Sequence, residues 1–200
     1  MLRNYFILAL GIVLMFVLVS GCAKAPQQEL DAAKAALETA RQAEADVYLA
    51  DEFKAAQDSL NAAIAEIETQ NSKFALTRNY NKAKNLLLAA TNLANDLNSR
   101  VAAKKEEVKA QAEQLLTELQ TGLTDAKALL KKAPKGKEGR EVLEAIQSEL
   151  TAVETSMTDA TNLLNTGKFM AAKDKLAAAL QKVNQIKDEL NQAIAKKKGK

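Results

Sequence analysis

The sequence predicts an all-α protein of elongated antiparallel helical hairpins. They form two repeated three-helix units with coiled-coil-like packing that share a long central helix. Three observations carry that expectation. Nearly half of the 200 residues are apolar, but chiefly through alanine and leucine, and only two prolines and seven glycines interrupt them. Such strong helix formers at helical spacing read as long helices or coiled coil. Small alanines also limit the apolar area that each helix buries, so thin helix-on-helix seams are expected in place of a thick core. Second, apolar residues recur in steps of three and four, the rhythm of an a/d seam. Third, Phe53-Lys-Ala-Ala-Gln-Asp-Ser-Leu60 aligns with Leu143-Glu-Ala-Ile-Gln-Ser-Glu-Leu150, and Asn79-Tyr80-Asn-Lys-Ala83-Lys84 with Lys168-Phe169-Met-Ala-Ala172-Lys173. The offsets of 90 and 89 residues imply one unit of about three helices occurring twice.

Taken in order, Ala23 to Gln27 is a short lead containing Pro26, and helix follows nearly to the end. Tyr48-Leu49-Ala50-Asp51 reads as a tight turn with Asp51 as N-cap of a helix whose seam is Phe53, Ala56, Leu60, Ala63 and Ile67. Asn71-Ser72 closes that helix, with Ser72 placed to cap the next. Ala75 to Lys132 reads as one nearly straight helix, on the order of 87 Å long at 1.5 Å per residue. Its apolar residues fall into 11-residue registers: Leu86, Leu97, Val108, Leu119 and Leu130; Ala90, Val101, Ala112 and Leu123; Leu93, Lys104, Leu115 and Ala126. An 11-residue period gives slight right-handed supercoiling. Its soft places are Lys104-Lys105-Glu106-Glu107 and Gly122. Pro134, Gly136 and Gly139 break the chain. The seam Leu143, Ile146, Leu150, Val153, Met157, Ala160 and Leu164 follows. Gly167 fits a left-handed helix end, and the last seam runs from Phe169 through Ala172, Leu176, Ala179, Val183, Ile186 and Leu190 to Ala193. Tyr48, Phe53, Phe74, Tyr80 and Phe169 sit at turns and are expected to plug hairpin ends.

The N-terminus has a different character. Met1-Leu2-Arg3-Asn4 supplies a short positive segment, and Tyr5 to Val19 is an apolar run of 15 residues interrupted only by Gly11. A membrane-spanning helix needs about 20 apolar residues, so the run has the length of a signal-peptide core. It ends in Val19-Ser20-Gly21-Cys22, which resembles the lipobox of bacterial lipoproteins: an aliphatic residue, two small residues, then cysteine. The resemblance implies cleavage between Gly21 and Cys22, a diacylglycerol thioether and N-acyl chain (palmitate or similar) on Cys22, and a mature chain anchored to membrane. Each buried methylene contributes about 0.8 kcal/mol, so several chains hold stably where one would not. By the same resemblance, alanine rather than aspartate at position 23 implies the periplasmic face of an outer membrane. The organisation expected is then 1–21 signal peptide, 22–27 lipidated tether, 28–104 first unit, 105–195 second unit and 196–200 basic tail.

The composition excludes several function classes. Lys and Arg number 28 against 25 Asp and Glu, and removing residues 1–21 takes away only Arg3. That balance lacks the clustered basic excess and stacking aromatics of a nucleic-acid surface. There is no histidine and a single cysteine, so Ser-His-Asp, Cys-His and the usual zinc sites are not expected, nor is a cofactor. The carboxylate pairs Asp51/Glu52, Glu66/Glu68 and Glu106/Glu107 read as solvated helix faces, with Lys104 a local partner for Glu107. Lys131-Lys132-Ala-Pro-Lys135-Gly136-Lys137 lacks the spacing of a phosphate loop and follows a helix, not a strand. The expected class is therefore a non-enzymatic envelope scaffold, spacer or interaction module. Its alternatives are a carrier or chaperone whose groove holds a lipid or peptide, and a cell-wall tether acting through Lys196-Lys197-Lys198-Gly199-Lys200 on peptidoglycan carboxylates. The equivalent turns of the two units carry opposite charge: Asp46, Asp51 and Glu52 in one, Lys132, Lys135, Lys137 and Arg140 in the other. This suggests weak, salt-sensitive self-association between neighbouring molecules; isolated surface pairs contribute only about 0–1 kcal/mol.

Tyr48, Asp51-Glu52-Phe53 and Tyr80-x-x-Ala83-Lys84 together resemble the pattern of an uncharacterised alanine-rich helical domain of bacterial envelope lipoproteins. There a Gly-Asp pair precedes the second tyrosine; here Arg78-Asn79 replaces it. The similarity covers about residues 28–100 well and 110–195 more loosely, and it implies envelope location without an activity. Gly167-Lys-Phe169-x-x-Ala172 is similar to a tetratricopeptide turn, but no 34-residue period accompanies it.

An uninterrupted central helix would make the body long for its mass. X-ray scattering of residues 24–200 should give a radius of gyration well above the roughly 16–17 Å of a 200-residue globule; a globular value would mean that the chain folds back near Lys104 or Gly122.

Overall fold

The computed structural model describes residues 24–134 and 139–198, with side chains to Lys196. Every regular element among them is helical. The elements are α1 (Gln27–Gln42), the single turn α2 (Ala45–Tyr48), α3 (Ala50–Asn71), a 3-10 turn (Ala75–Thr77), α4 (Asn81–Lys132), α5 (Gly139–Asn165) and α6 (Phe169–Lys198). No helix among the described residues is long and apolar enough to cross a membrane.

The chain falls into two compact units, dividing between Ala102 and Ala103. In the first, α1, α3 and the N-terminal part of α4 bury Ala33, Leu37, Phe53, Ala56, Leu60, Ala63, Ile67, Leu87, Leu97 and neighbouring alanines. Ion pairs show the register. Glu66 with Lys82 (2.9 Å) and Glu52 with Arg100 (3.1 Å) set α3 antiparallel to α4, and Glu29 with Lys84 (3.3 Å) places the start of α1 beside the start of α4. In the second unit, Lys127 bonds Glu154 across α4 and α5. Glu149 with Lys182 and Asp159 with Lys175 (both 2.9 Å) set α5 antiparallel to α6. The core there comprises Leu119, Leu150, Leu176, Val183, Ile186 and Leu190 among others.

Burial in α4 follows a rhythm other than the expected 11-residue one. Ala83, Leu87, Ala90, Ala94, Leu97 and Val101 are buried, and so are Val108, Ala112, Leu119 and Ala126, while Leu93 is exposed. The steps are a heptad series of threes and fours on either side of one longer interval, Val101 to Ala112. Within that interval the four-residue step occurs twice, through half-buried Lys104 and buried Val108. The 11-residue period is thus a single stutter where the two units divide, not a property of the whole helix. It coincides with Lys104, whose stem lies along the seam while its amine reaches both oxygens of Glu107 at 2.9 Å.

Four other expectations are corrected. Helix does not begin at Ala75: α4 starts at Asn81, whose N–H donates to Asn79 Oδ1, because side chains claim the backbone of residues 71–79. Asp51 is not the N-cap of α3. Leu49 occupies that place without a side-chain bond, and Asp51 and Glu52 lie in the first turn, where their charge favours the positive helix end. Phe74 plugs nothing; it is 71% exposed, whereas Tyr48, Phe53 and Tyr80 are buried. Ser72 caps no following helix; it ends α3, its hydroxyl donating to the Thr69 carbonyl. Gly167 (φ +77°) closes α5 as expected: its N–H donates to the Leu164 carbonyl and that of Lys168 to the Leu163 carbonyl, the pair of hydrogen bonds of a Schellman end. At the end of α1 the same left-handed place holds Glu44 (φ +68°), a position that no glycine marked.

Gly122 is a contact, not merely a soft place. A Cβ there would stand 2.9 Å from Cγ1 of Val183 on α6, and a β-branched valine is stiff at χ1. Gly122→Ala should gain about 1 kcal/mol of helix propensity but lose about 1–3 kcal/mol to overpacking. Net destabilisation of about 1 kcal/mol is expected by denaturant titration. With Val183→Ala already present, the same substitution should instead stabilise; equal effects in both backgrounds would show that the contact does not limit the packing.

Candidate functional site

A dense polar arrangement lies where α3 turns into α4. Gln70, buried at the end of α3, donates through Nε2 to Glu66 Oε1 at 2.7 Å. Its Oε1 accepts the Asn79 N–H at 3.1 Å. Lys82 donates to the other Glu66 oxygen. The Tyr80 hydroxyl donates to Asn71 Oδ1 at 2.6 Å, and Asn79 Oδ1 accepts the Asn81 N–H at 2.9 Å. Arg78 spans the turn, its Nε donating to the Lys73 carbonyl (3.0 Å) and its Nη2 to that of Asn71 (2.8 Å). Side chains therefore replace the helical bonds that residues 71–79 would otherwise make, which is how Asn and its relatives end helices.

This network borders an open cleft of about 570 Å3 whose walls include Glu66, Asn81 and Lys82. The side chain of Glu66 is only 14% exposed, yet its carboxyl is held below the usual glutamate range, first by the Gln70 bond and then by Lys82, against the opposing effect of burial. It stays ionised at neutral pH and so has no proton to lend as a general acid. The arrangement locks a turn. Beyond it the 3-10 turn carries Phe74 and Leu76 outward, 71% and 65% exposed.

A second cleft, of about 360 Å3, lies between the end of α4 and the start of α5 and is lined by Leu130, Lys131, Arg140, Leu143, Glu144 and Gln147. It combines aliphatic walls with two cationic groups and one carboxylate.

Of the residues singled out in the sequence, Gly21, Cys22, Lys135 and Lys137 lie outside the described residues. Arg140 is exposed in the first turn of α5 and borders the second cleft. Asp51 is exposed on α3. Glu52 is bonded to Arg100, which also holds Asp96 at 2.8 Å, so its charge is engaged within its own unit. The Glu66, Gln70, Arg78, Asn79 and Tyr80 network was not anticipated. Its signal is the run of amide side chains at 70, 71, 79 and 81, but only the antiparallel pairing of α3 with α4 brings its two ends together. Among the described residues, no group of three or more His, Cys, Asp or Glu is placed to hold a metal. No protein-family model matches the chain, and neither a curated protein nor a solved structure matches it.

Glu66 gives the turn a pH signature. Its carboxyl is depressed in the folded state, so its stabilisation is fully present above the ordinary glutamate value of about 4.3 and is lost as pH falls through the lower folded value. Glu66→Gln should lower the unfolding midpoint at pH 7 and flatten its decline in acid, so that mutant and wild type converge at low pH. Parallel pH curves would show that the Gln70 and Lys82 bonds carry no net stabilisation.

Proposed function

We propose that this chain is a lipid-anchored protein of a bacterial cell envelope, whose helical body is a non-enzymatic scaffold, spacer or interaction module. The observation that carries this reading is the N-terminal sequence: Arg3, the apolar run Tyr5–Val19, and Val19-Ser20-Gly21-Cys22 in succession. Cys22 is the acyl attachment site in this reading, and Ala23 favours the outer membrane. Two properties of the body support it. Regular helix begins at Gln27, five residues beyond Cys22, so the anchor would lead almost directly into folded structure. The large apolar residues of the seams are buried against one another, which suits a body that presents polar faces. Duplication of one three-helix unit accounts for the 90- and 89-residue offsets.

The carrier reading draws on one observation, the partly aliphatic cleft between Leu130 and Leu143 with Lys131 and Arg140 beside it, a combination suited to an acyl chain with an anionic head. The wall-tether reading rests on the C-terminal lysines. For self-association, the Glu52–Arg100 bond leaves Asp46 and Asp51 as the acidic groups that the first unit's turn offers to a basic partner.

Cys22→Ser tests the anchor. Metabolic labelling with a fatty acid should mark the wild-type chain and not the mutant, and the mutant should keep residues 1–21. Equal labelling of both chains would reject acylation at Cys22. Crosslinking in intact cells, with mass spectrometry of the trapped molecules, then separates scaffold, carrier and tether by whether protein, lipid or peptidoglycan is recovered.

A further inference from the structure

We infer that the turn between α3 and α4 is a second membrane contact, in which Phe74 and Leu76 enter the headgroup region and the surrounding cations face anionic lipid. This rests on the acyl anchor at Cys22 and adds a site to it.

The placement follows from the register of the first unit. Lys84 pairs with Glu29 at 3.3 Å, so the start of α4 stands beside the start of α1. The turn joining α3 to α4 is therefore at the end of the unit from which the chain runs back toward Cys22. Chain length limits how far that end can lie from the anchor. Cys22 is two residues from Lys24 and five from Gln27, at most about 7 Å and 18 Å of extended chain. An acylated Cys22 thus holds this end of the first unit near the bilayer surface.

What the turn presents there suits a bilayer. Phe74 and Leu76 are among the most exposed large apolar side chains described, and they are held outward by a structured turn. Thr77 N–H donates to the Phe74 carbonyl at 2.9 Å, and the Arg78 and Gln70 bonds lock both flanks. The conformation is therefore set before contact, and little ordering entropy is lost on insertion. The charge is also complementary. From Thr69 to Asn95 the chain has no aspartate or glutamate, while Lys73, Arg78, Lys82 and Lys84 lie within it. Glu66 and Glu29 bind Lys82 and Lys84, leaving Lys73 and Arg78 as the cations bracketing the apolar pair. Each basic residue near an anionic leaflet contributes about a fivefold attraction. Apolar side chains at such a site sink some 5–10 Å into the boundary between headgroups and acyl chains. A contact of this kind would limit the tilt of the first unit on its anchor, which acyl chains alone leave free.

The chain contains no tryptophan, so a single introduced one reports its own surroundings. Full-length Leu76→Trp, purified with its anchor, would be reconstituted into vesicles of phosphatidylethanolamine and phosphatidylglycerol carrying lipids brominated near the carbonyls. Val47→Trp, at the exposed turn on the opposite end of the same unit, serves as the comparison, and a helical circular-dichroism spectrum checks that each variant folds. The expected result is a shift of Leu76→Trp emission to shorter wavelength with most of its intensity quenched, weaker quenching in phosphatidylcholine alone, and Val47→Trp unchanged throughout. Mass spectrometry of the same preparation reads the acylation of Cys22. An acylated chain whose Leu76→Trp is quenched no more than Val47→Trp overturns the turn's role while leaving the anchor standing, and would direct the apolar pair to a protein partner. An unacylated Cys22 overturns both.

Discussion

Along α3 the seam reads Phe53, Ala56, Leu60, Ala63, Ile67, a large side chain and then a small one at every step, all buried. Helix α1 contributes Ala33, Leu37 and Ala40, and α6 begins in the same way with Ala172, Leu176 and Ala179. Helices packed through such seams approach closely, because each large residue fits over the space that a facing small residue leaves. Everything else about the body depends on this alternation. It limits the apolar area per helix, so stability has to come from long helices, and it penalises any added volume at the closest approaches. Gly122 is the extreme case: against Val183 even an alanine has no room.

The same constraint explains the spacing in α4. Two heptad seams on one helix need not share a phase, and an extra four-residue step between Val101 and Ala112 lets each unit keep its own alternation of large and small residues. Lysine is tolerated at position 104 because the stutter leaves that place half-exposed. Its stem covers apolar surface while its amine binds Glu107, as long cationic side chains do at the edges of seams.

Turns obey different physics. Where the chain reverses, small seam residues offer little to stop a helix, and helix ends leave backbone groups without partners. At α5 to α6 the Gly167 backbone supplies the stop. At α1 to α2 Glu44 takes the left-handed conformation despite its Cβ. From α3 to α4 side chains do it: Arg78 takes the carbonyls of Asn71 and Lys73, Gln70 the N–H of Asn79, and Asn79 the N–H of Asn81. This costs a long segment of nonhelical backbone. It produces a rigid turn that can hold Phe74 and Leu76 in water.

Helical class, the seams of α3, α5 and α6, the break near Pro134 and the Gly167 end were legible in the sequence. Each depends on local propensity or on a periodicity confined to one helix, and neither needs a partner to be known. The lipobox resemblance before Cys22 is an expectation from sequence alone, on residues outside the described ones. The rest was decided by tertiary structure. The two apolar registers of α4 overlap in a one-dimensional pattern, and only the faces presented to α1, α3, α5 and α6 show which residues are buried. Gln70 is an unremarkable polar residue until α3 and α4 pair antiparallel and bring its side-chain oxygen to the Asn79 N–H. Phe74 looked like a plug because aromatics at turns usually bury themselves. It faces solvent because the bonds of Arg78 and Gln70 hold the backbone in a path that turns its ring away from the core.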